Sequence, residues 1–337
     1  MDLGWIKKIT VKQVAAMCVV MVAIYFLVGN ENNPDGVNVV DGVGESCHVD
    51  VNVEGHMVYA MHESGYVVKT MAYVDSDLSE VESIFTALQV DSDRLMDVTY
   101  GLIPVGAVLR DYEVEGEALT LNLSESFLYY LPEDEEHLLS SLIWSMTEIE
   151  GVDRVYLQIE GEPIHNLNGA LDIGRGLTRS VGINLEMNAT SVHHAEMVLL
   201  YFLTDDSDDA MLVPVTRLVS ADVDIVEYAV SSLVKGSVGA SYISVFNHQT
   251  TLVESPHLED GILTLNFSSE LFYNEEQTQV SSQVLRQLVM TMTEFDDVSE
   301  VSVIIEGSVR VFDDGGNPIV VPVSRDSILE QEFIEAQ

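Results

Sequence analysis

The sequence predicts an α+β fold: two tandem copies of a small sheet with two helices packed on one face, following an N-terminal transmembrane helix. Three observations carry this. Residues 119–124 read LTLNLS and residues 263–268 read LTLNFS, 144 positions apart. Each copy then runs through a helical pattern to the same triplet, Met146-Thr147-Glu148 and Met292-Thr293-Glu294, and closes on an apolar strand ending in Glu-Gly, VYLQIEG (155–161) and VSVIIEG (301–307). A charge-free apolar run, VAAMCVVMVAIYFLVG (14–29), lies ahead of both copies. Ordered matches at nearly one offset mean duplication, and the period is that of a small domain rather than a solenoid repeat.

From the N-terminus, residues 1–13 form a basic end with Lys7, Lys8 and Lys12. The run at 14–29 spans about 24 Å as a helix, and Gln13 with a snorkelling Lys12 brings it close to a hydrocarbon core of about 30 Å. Lysines before the run and acids after it predict a cytoplasmic N-terminus and an extracytoplasmic remainder. Of three fates, an uncleaved signal anchor fits best. Leu27-Val28-Gly29 is a poor cleavage site, and Met17 before Cys18 is a poor lipidation site. Residues 30–55, rich in Asn, Asp, Gly and Val, predict a flexible tether.

The first copy is expected over 56–187. VYAM (58–61) and VVKTMAYV (67–74) read as strands, and Ser79 with Glu82 forms a capping box ahead of Val81, Ile84, Phe85 and Leu88. Pro132 opens a second helix whose stripe is Leu138, Leu139, Leu142, Ile143 and Met146. Residues 188–196, NATSVHHAE, form the linker. The second copy is expected over 197–337, its first strand pattern already starting in AEMVLLYFLT (195–204). MLVPVTRLV (211–219) follows as a strand placed at an edge by Pro214. Ile225, Val226, Ala229, Val230, Leu233 and Val234 predict a helix capped by Asp222 or Asp224 and stopped by Gly236. After the repeated strand, a second helix carries Val280, Val284, Leu285, Leu288, Val289 and Met292. The order per copy is β-β-α-β-α-β. The tails repeat as well, with Thr178-Arg179 matching Ser324-Arg325, so each copy ends in a further extended segment.

Charge narrows the function. The chain has 14 Lys and Arg against 56 Asp and Glu, a net of −42. Setting aside Lys7, Lys8, Lys12 and Asp2 leaves 11 bases against 55 acids, a net of −44. Such a surface repels phosphate backbones, which excludes nucleic acid as a partner. It keeps the chain soluble by self-repulsion and would also attract a basic partner. Two cysteines, Cys18 and Cys47, imply no disulfide framework.

No catalytic, cofactor-binding or metal-ligating residue is predicted. His62-Glu63 lacks the second histidine of a zinc protease motif. Asp205, Ser207 and Asp209 match the 1-3-5 spacing of a calcium loop, but Ala210 and Thr216 stand where Gly and Glu are needed, so a solvated turn is the better reading. His193-His194 reads as an exposed linker pair. The recurring glutamates, Glu148 with Glu294 and Glu160 with Glu306, sit where a helix end and a strand end explain them. Ser124 and Ser268 read as N-caps.

Taken together, LLYFLT, LVPVTR with Arg217, EDGILTLNFS, VLRQLVMTMTE and VSVIIEG resemble the GerM domain of sporulation and germination proteins. The first copy keeps IPVGAVL (103–109), EGEALTLNLS, IWSMTE and VYLQIEG, so the resemblance covers 57–330. It departs at Gly236-Ser237, where the family often has Gly-Pro, and in lacking the lipobox common among members. The resemblance implies a fold similar to ring-building domains of secretion-type assemblies. It also implies a non-enzymatic role outside the membrane in endospore formation and germination. Its partners would be other envelope or sporulation-complex proteins, with self-association and membrane attachment through the N-terminal helix. The competing reading is an extracytoplasmic module that binds a ligand or cell-wall glycan. A glycan site asks for exposed aromatics around paired carboxylates. Trp5 lies beside the apolar run and Trp144 within a helix stripe, which leaves Tyr129 and Tyr130 as the aromatics whose exposure discriminates.

Overall fold

The computed structural model describes residues 55–329 apart from 97, 168–172, 187–194, 206, 208–209, 237–239, 274–277 and 309–310. The apolar run, both cysteines, most of the tether and of the linker, His193-His194 and part of the DDSDDA turn lie outside the described residues. Among those described, no helix is long and apolar enough to cross a membrane.

In the first copy, β1 (Gly55–His62) and β2 (Val67–Tyr73) form an antiparallel hairpin, and short β3 (Thr99–Tyr100) pairs with the end of β1. Helix α1 (Glu80–Ala87) starts at the expected capping box: Ser79 accepts from Glu82 N–H and Glu82 accepts from Ser79 N–H. A second sheet follows, with β4 (Leu109–Glu115) and β5 (Ala118–Leu123) as a hairpin. Helix α2 (Glu135–Met146) crosses over to β6 (Arg154–Ile159), which lies parallel to β5, and β7 (Glu162–Pro163) turns back on β6. Pro132 opens a short 3₁₀ turn that leads into α2 rather than α2 itself.

The second copy repeats this plan. The hairpin of β8 (Ala195–Leu203) and β9 (Leu212–Ser220) precedes α3 (Ile225–Lys235), capped by Asp224 and ended at Gly236 with φ 63°. Then come β10 (His257–Glu259), β11 (Ile262–Phe267), α4 (Ser282–Met292), β12 (Glu300–Ile305) and β13 (Val323–Ser324), with β11 and β12 parallel. The extended tails are present in both copies: Leu177 pairs with Val155 and Val323 pairs with Val301. Both copies lie in one compact unit.

Two expectations need correction. Each copy has two sheets, a hairpin sheet and a four-stranded sheet, rather than one sheet with both helices on a face. Accordingly α2 is not one-faced: Leu138, Leu142, Ile143 and Met146 enter the core while Ser141, Ser145 and Trp144 on other sides are buried too. The extra strand β4 reads LRDYEVE, and its charged, solvent-facing side chains hide the strand pattern. Ser124 and Ser268 precede 3₁₀ turns but cap neither. Their hydroxyls accept instead from Val108 N–H (2.9 Å) and Thr251 N–H (3.1 Å), tying the repeated strand to its neighbour.

The repeated LTLN-x-S motif now has a cause. Leu119, Leu121 and Leu123 are wholly buried, as are Leu265 and Phe267, each contributing about 1.5–3 kcal/mol by leaving water. The asparagines point the other way. Asn122 Oδ1 accepts from Gly161 N–H (2.8 Å) and Asn266 Oδ1 from Gly307 N–H (3.2 Å). Each thereby fixes the Glu-Gly turn that follows the parallel partner strand. In those turns Glu160 and Gly161 have φ of 51° and 84°, Glu306 and Gly307 of 48° and 78°, the two positive values of a type I′ hairpin.

Candidate functional site

The duplication places the same polar cluster at the end of each second helix. Glu148 follows the C-cap Thr147 of α2, and the tail of the copy returns Arg179 to it. Arg179 Nη2 donates to Glu148 Oε1 (2.5 Å) and Nε donates to Thr147 Oγ1 (2.9 Å). Tyr59 Oη donates to the same Oε1 at 3.3 Å, and Lys69 Nζ reaches Oε2 at 2.7 Å. In the second copy Arg325 pairs with Glu294, and its Nε donates to Thr293 Oγ1 (3.0 Å). Tyr201 Oη donates to Glu294 Oε1 at 2.9 Å. Glutamate and arginine are 31 residues apart in both copies. That shared separation is a sequence signal that pairs the recurring glutamates with the recurring tail arginines. One member is not duplicated: Lys69 lies opposite Tyr59 on β2, and Pro214 holds the matching place opposite Tyr201.

Electrostatics show what these groups can do. Burial works to raise the Glu148 carboxyl, yet Lys69 and Arg179 outweigh it and hold it below the usual carboxylate range. Burial pushes Tyr59 and Tyr201 well above the ordinary tyrosine value, with Glu148 and Glu294 adding to it, so both phenols stay protonated donors. A general acid at neutral pH needs a carboxyl raised toward 7, the reverse of what Lys69 and Arg179 impose on Glu148. Arg179 of one cluster and Glu294 of the other line the same cleft, so the two clusters lie near one another.

They meet where the copies join. The side chains of Val58 and Ala60 enter the first core, while Tyr59 and Met61 on the opposite face of β1 pack with Val67, Trp144 and Ile183. Asn184, 5% exposed, stitches the two hairpins: its Oδ1 accepts from Val67 N–H, and its Nδ2 donates to Val67 O and Pro214 O, each at 2.7 Å. Asn184 has φ 48°, a conformation asparagine tolerates better than most residues. The chain then runs beside the outer edge of β9, where Glu186 N–H donates to Thr216 O. Pro214 therefore does sit on a sheet edge, as its missing N–H requires. Glu186 also receives Arg217 Nε (2.8 Å) and the Tyr242 hydroxyl, and Arg217, 6% exposed, stacks over Phe202. Trp144 Nε1 donates to Gly182 O at 3.1 Å, and the Arg179 guanidinium lies 4.8 Å from the Trp144 ring. A cleft of about 530 Å³ opens here, lined by Trp144, Arg179, Met197, Leu199, Glu294, Phe295 and Asp296.

The remaining singled-out residues do not gather there. His62 Nδ1 is occupied by Ser64, and Asp205 caps Ser207 N–H as a turn residue does. Glu160 takes the Arg110 guanidinium and the Glu125 N–H, which hold it below the usual carboxylate range. Tyr129 is 69% exposed, whereas Tyr130 is partly buried with its hydroxyl on Glu135 (2.6 Å). Among the described residues, no three His, Cys, Asp or Glu side chains are grouped to hold a metal.

Fold and junction define a tandem α+β scaffold locked into one body. The model of the Germane family, described as sporulation and spore germination, matches residues 25–165 and 199–310, and the chain belongs to that family. It is 30% identical over 282 residues to the spore germination protein GerM of Bacillus subtilis strain 168, covering 80% of this chain and 76% of that protein. Its structure is similar to the solved tandem GerMN domains of the Bacillus subtilis sporulation protein GerM, with a TM-score of 0.73 and 26% identity, over 81% of this chain and 98% of the other.

Proposed function

We propose that this chain is a membrane-anchored, extracytoplasmic component of endospore formation and germination that acts by assembly rather than by catalysis. The observation that carries this reading is the extended likeness to the Bacillus subtilis spore germination protein GerM, which runs through both copies. Anchoring is inferred from the apolar run 14–29 and its flanking charges. The assembly role is supported by the state of the duplicated clusters, whose carboxylates and phenols are occupied by each other and by arginine. A deletion strain tests it: we expect far fewer heat-resistant spores, or spores that fail to germinate, with recovery on complementation. Normal spore yield and normal germination would defeat the reading.

A second reading, a ligand-binding module, has one observation in its favour. A groove of about 580 Å³ between α3 and residues 248–255 holds His248 and the Thr250 hydroxyl, which is buried without a partner. Retention of the chain on purified cell-wall glycan would favour that reading.

A further inference from the structure

Among the described residues, helices close part of the outer edge of two long strands, and one long edge strand has no such cover. In the first copy the outward backbone of Tyr59 on β1 is closed by helix α2, whose Ser145 Oγ accepts from Tyr59 N–H (2.7 Å) and whose Ser141 Oγ donates to Tyr59 O (2.6 Å). In the second copy Thr291 Oγ1 and Gln287 Nε2 of α4 do the same for Tyr201, at 3.0 and 3.1 Å. Covering an edge with a helix removes its capacity to pair with another chain. β4 has no such cover. It is the outermost strand of its sheet, seven residues long, and every side chain from Arg110 to Glu115 is exposed. Its counterpart β10 has three residues.

The chemistry of the β4 edge is specific. The hairpin to β5 closes through a two-residue loop, so Glu115 and Ala118 exchange ladder hydrogen bonds. By alternation Glu113 and Asp111 also face β5, and the N–H and C=O groups of Val114 and Tyr112 point outward. On one face of the sheet an apolar band runs from Val155 and Leu157 through Leu119 and Leu121 to Val114 and Tyr112. The first four are buried, while Val114 is 52% and Tyr112 37% exposed, so the band ends uncovered. The other face of β4 carries Asp111, Glu113 and Glu115, and its one base, Arg110, is engaged by Glu160.

We propose that β4 is a strand-addition site for a partner segment that alternates apolar residues with lysine or arginine. The added strand pairs with the outward groups of Val114 and Tyr112, extends the apolar band on one face and meets the three carboxylates on the other. A second copy of this chain is a poor occupant, because its own β4 would set acids against acids and both chains are strongly negative. The proposal rests on the assembly reading above and gives it a surface.

The test uses the full chain in a neutral detergent and a fluorescent seven-residue peptide of alternating lysine and valine with blocked ends. Binding is read by anisotropy and β4 amide protection by hydrogen exchange. We expect the alternating peptide to bind at least tenfold more tightly than its shuffled or Glu-for-Lys versions, with new protection over residues 109–115. Val114→Pro removes an outward donor without breaking the β4–β5 ladder, and should weaken binding about tenfold with unchanged circular dichroism. A Glu113→Lys/Glu115→Lys variant should reverse the preference toward the Glu peptide, which keeps the test sound if the proline variant misfolds. Equal binding of alternating and shuffled peptides, or no effect of either variant, would overturn the proposal. So would self-association of the peptide-free chain abolished by Val114→Pro, which would make the occupant a second copy. Failure here leaves the sporulation reading intact, since the deletion strain decides that separately.

Discussion

At the residue scale, the interactions that matter are saturated polar groups rather than reactive ones. Glu148 illustrates the energetics. Its carboxyl is depressed in the folded state, so it contributes stability that is complete above the ordinary glutamate value of about 4.3 and is lost as pH falls through the lower folded value. Arg179→Met removes one of its two cationic partners. The loss should be about 1 kcal/mol, at the low end for a charged hydrogen bond because the Arg179 side chain is 40% exposed. Denaturant titrations of parent and variant should differ fully above about pH 5 and converge as pH drops toward 3, since the missing contribution is one that acid removes. A difference independent of pH would mean that Arg179 acts through its bond to Thr147 and its packing on Trp144 rather than through Glu148. The recurring glutamates and tail arginines were each visible in the sequence. Their pairing was carried only by the shared 31-residue separation, which has no local periodicity to draw attention to it.

At the element scale, the helices do more than fill a core. Positions 141 and 145 of α2 and positions 287 and 291 of α4 are one helical turn apart, and in both copies that pair seals the backbone of the tyrosine on the neighbouring strand. Thr291→Val keeps the shape but strands the Tyr201 N–H, and should cost about 1–3 kcal/mol in denaturant unfolding. Hydrogen exchange at the Tyr201 amide should speed accordingly; unchanged exchange and stability would show that the contact is incidental. Amphipathic periodicity found α1 to α4, and apolar content found β1, β2, β8 and β9. The repeated LTLN strand was legible because its leucines alternate into the core. What stayed hidden was β4, whose exposed acids mask the alternation of a strand, and the division of each copy into two sheets. That division depends on which strands pair, and the deciding pairs join residues far apart in the chain, such as Leu119 with Val155 and Leu263 with Val301.

At the scale of the whole molecule, duplication has produced two units that differ in a few places. The second copy keeps Arg217 at the junction, locked by Glu186 from the chain leaving the first copy, while Ala72 lies at the matching place on β2. Among the described residues, the seven-residue β4 of the first copy answers to a three-residue β10 in the second, and Lys69 answers to Pro214. The strong negative charge discourages contact between like chains and leaves basic partners favoured. Membership of the Germane family and the likeness to a spore germination protein set the process in which we propose this body works. The central claim is that it works as a surface and not as a catalyst. The most direct measurement is the count of heat-resistant spores from a deletion strain that carries the chain with Glu148→Gln and Glu294→Gln, at matched protein level. Our account predicts a yield close to that given by the unaltered chain, because glutamine can still accept from arginine and tyrosine. Collapse of the yield in a stable, folded double variant would contradict it, because the carboxylates would then be needed for more than holding arginine and tyrosine in place.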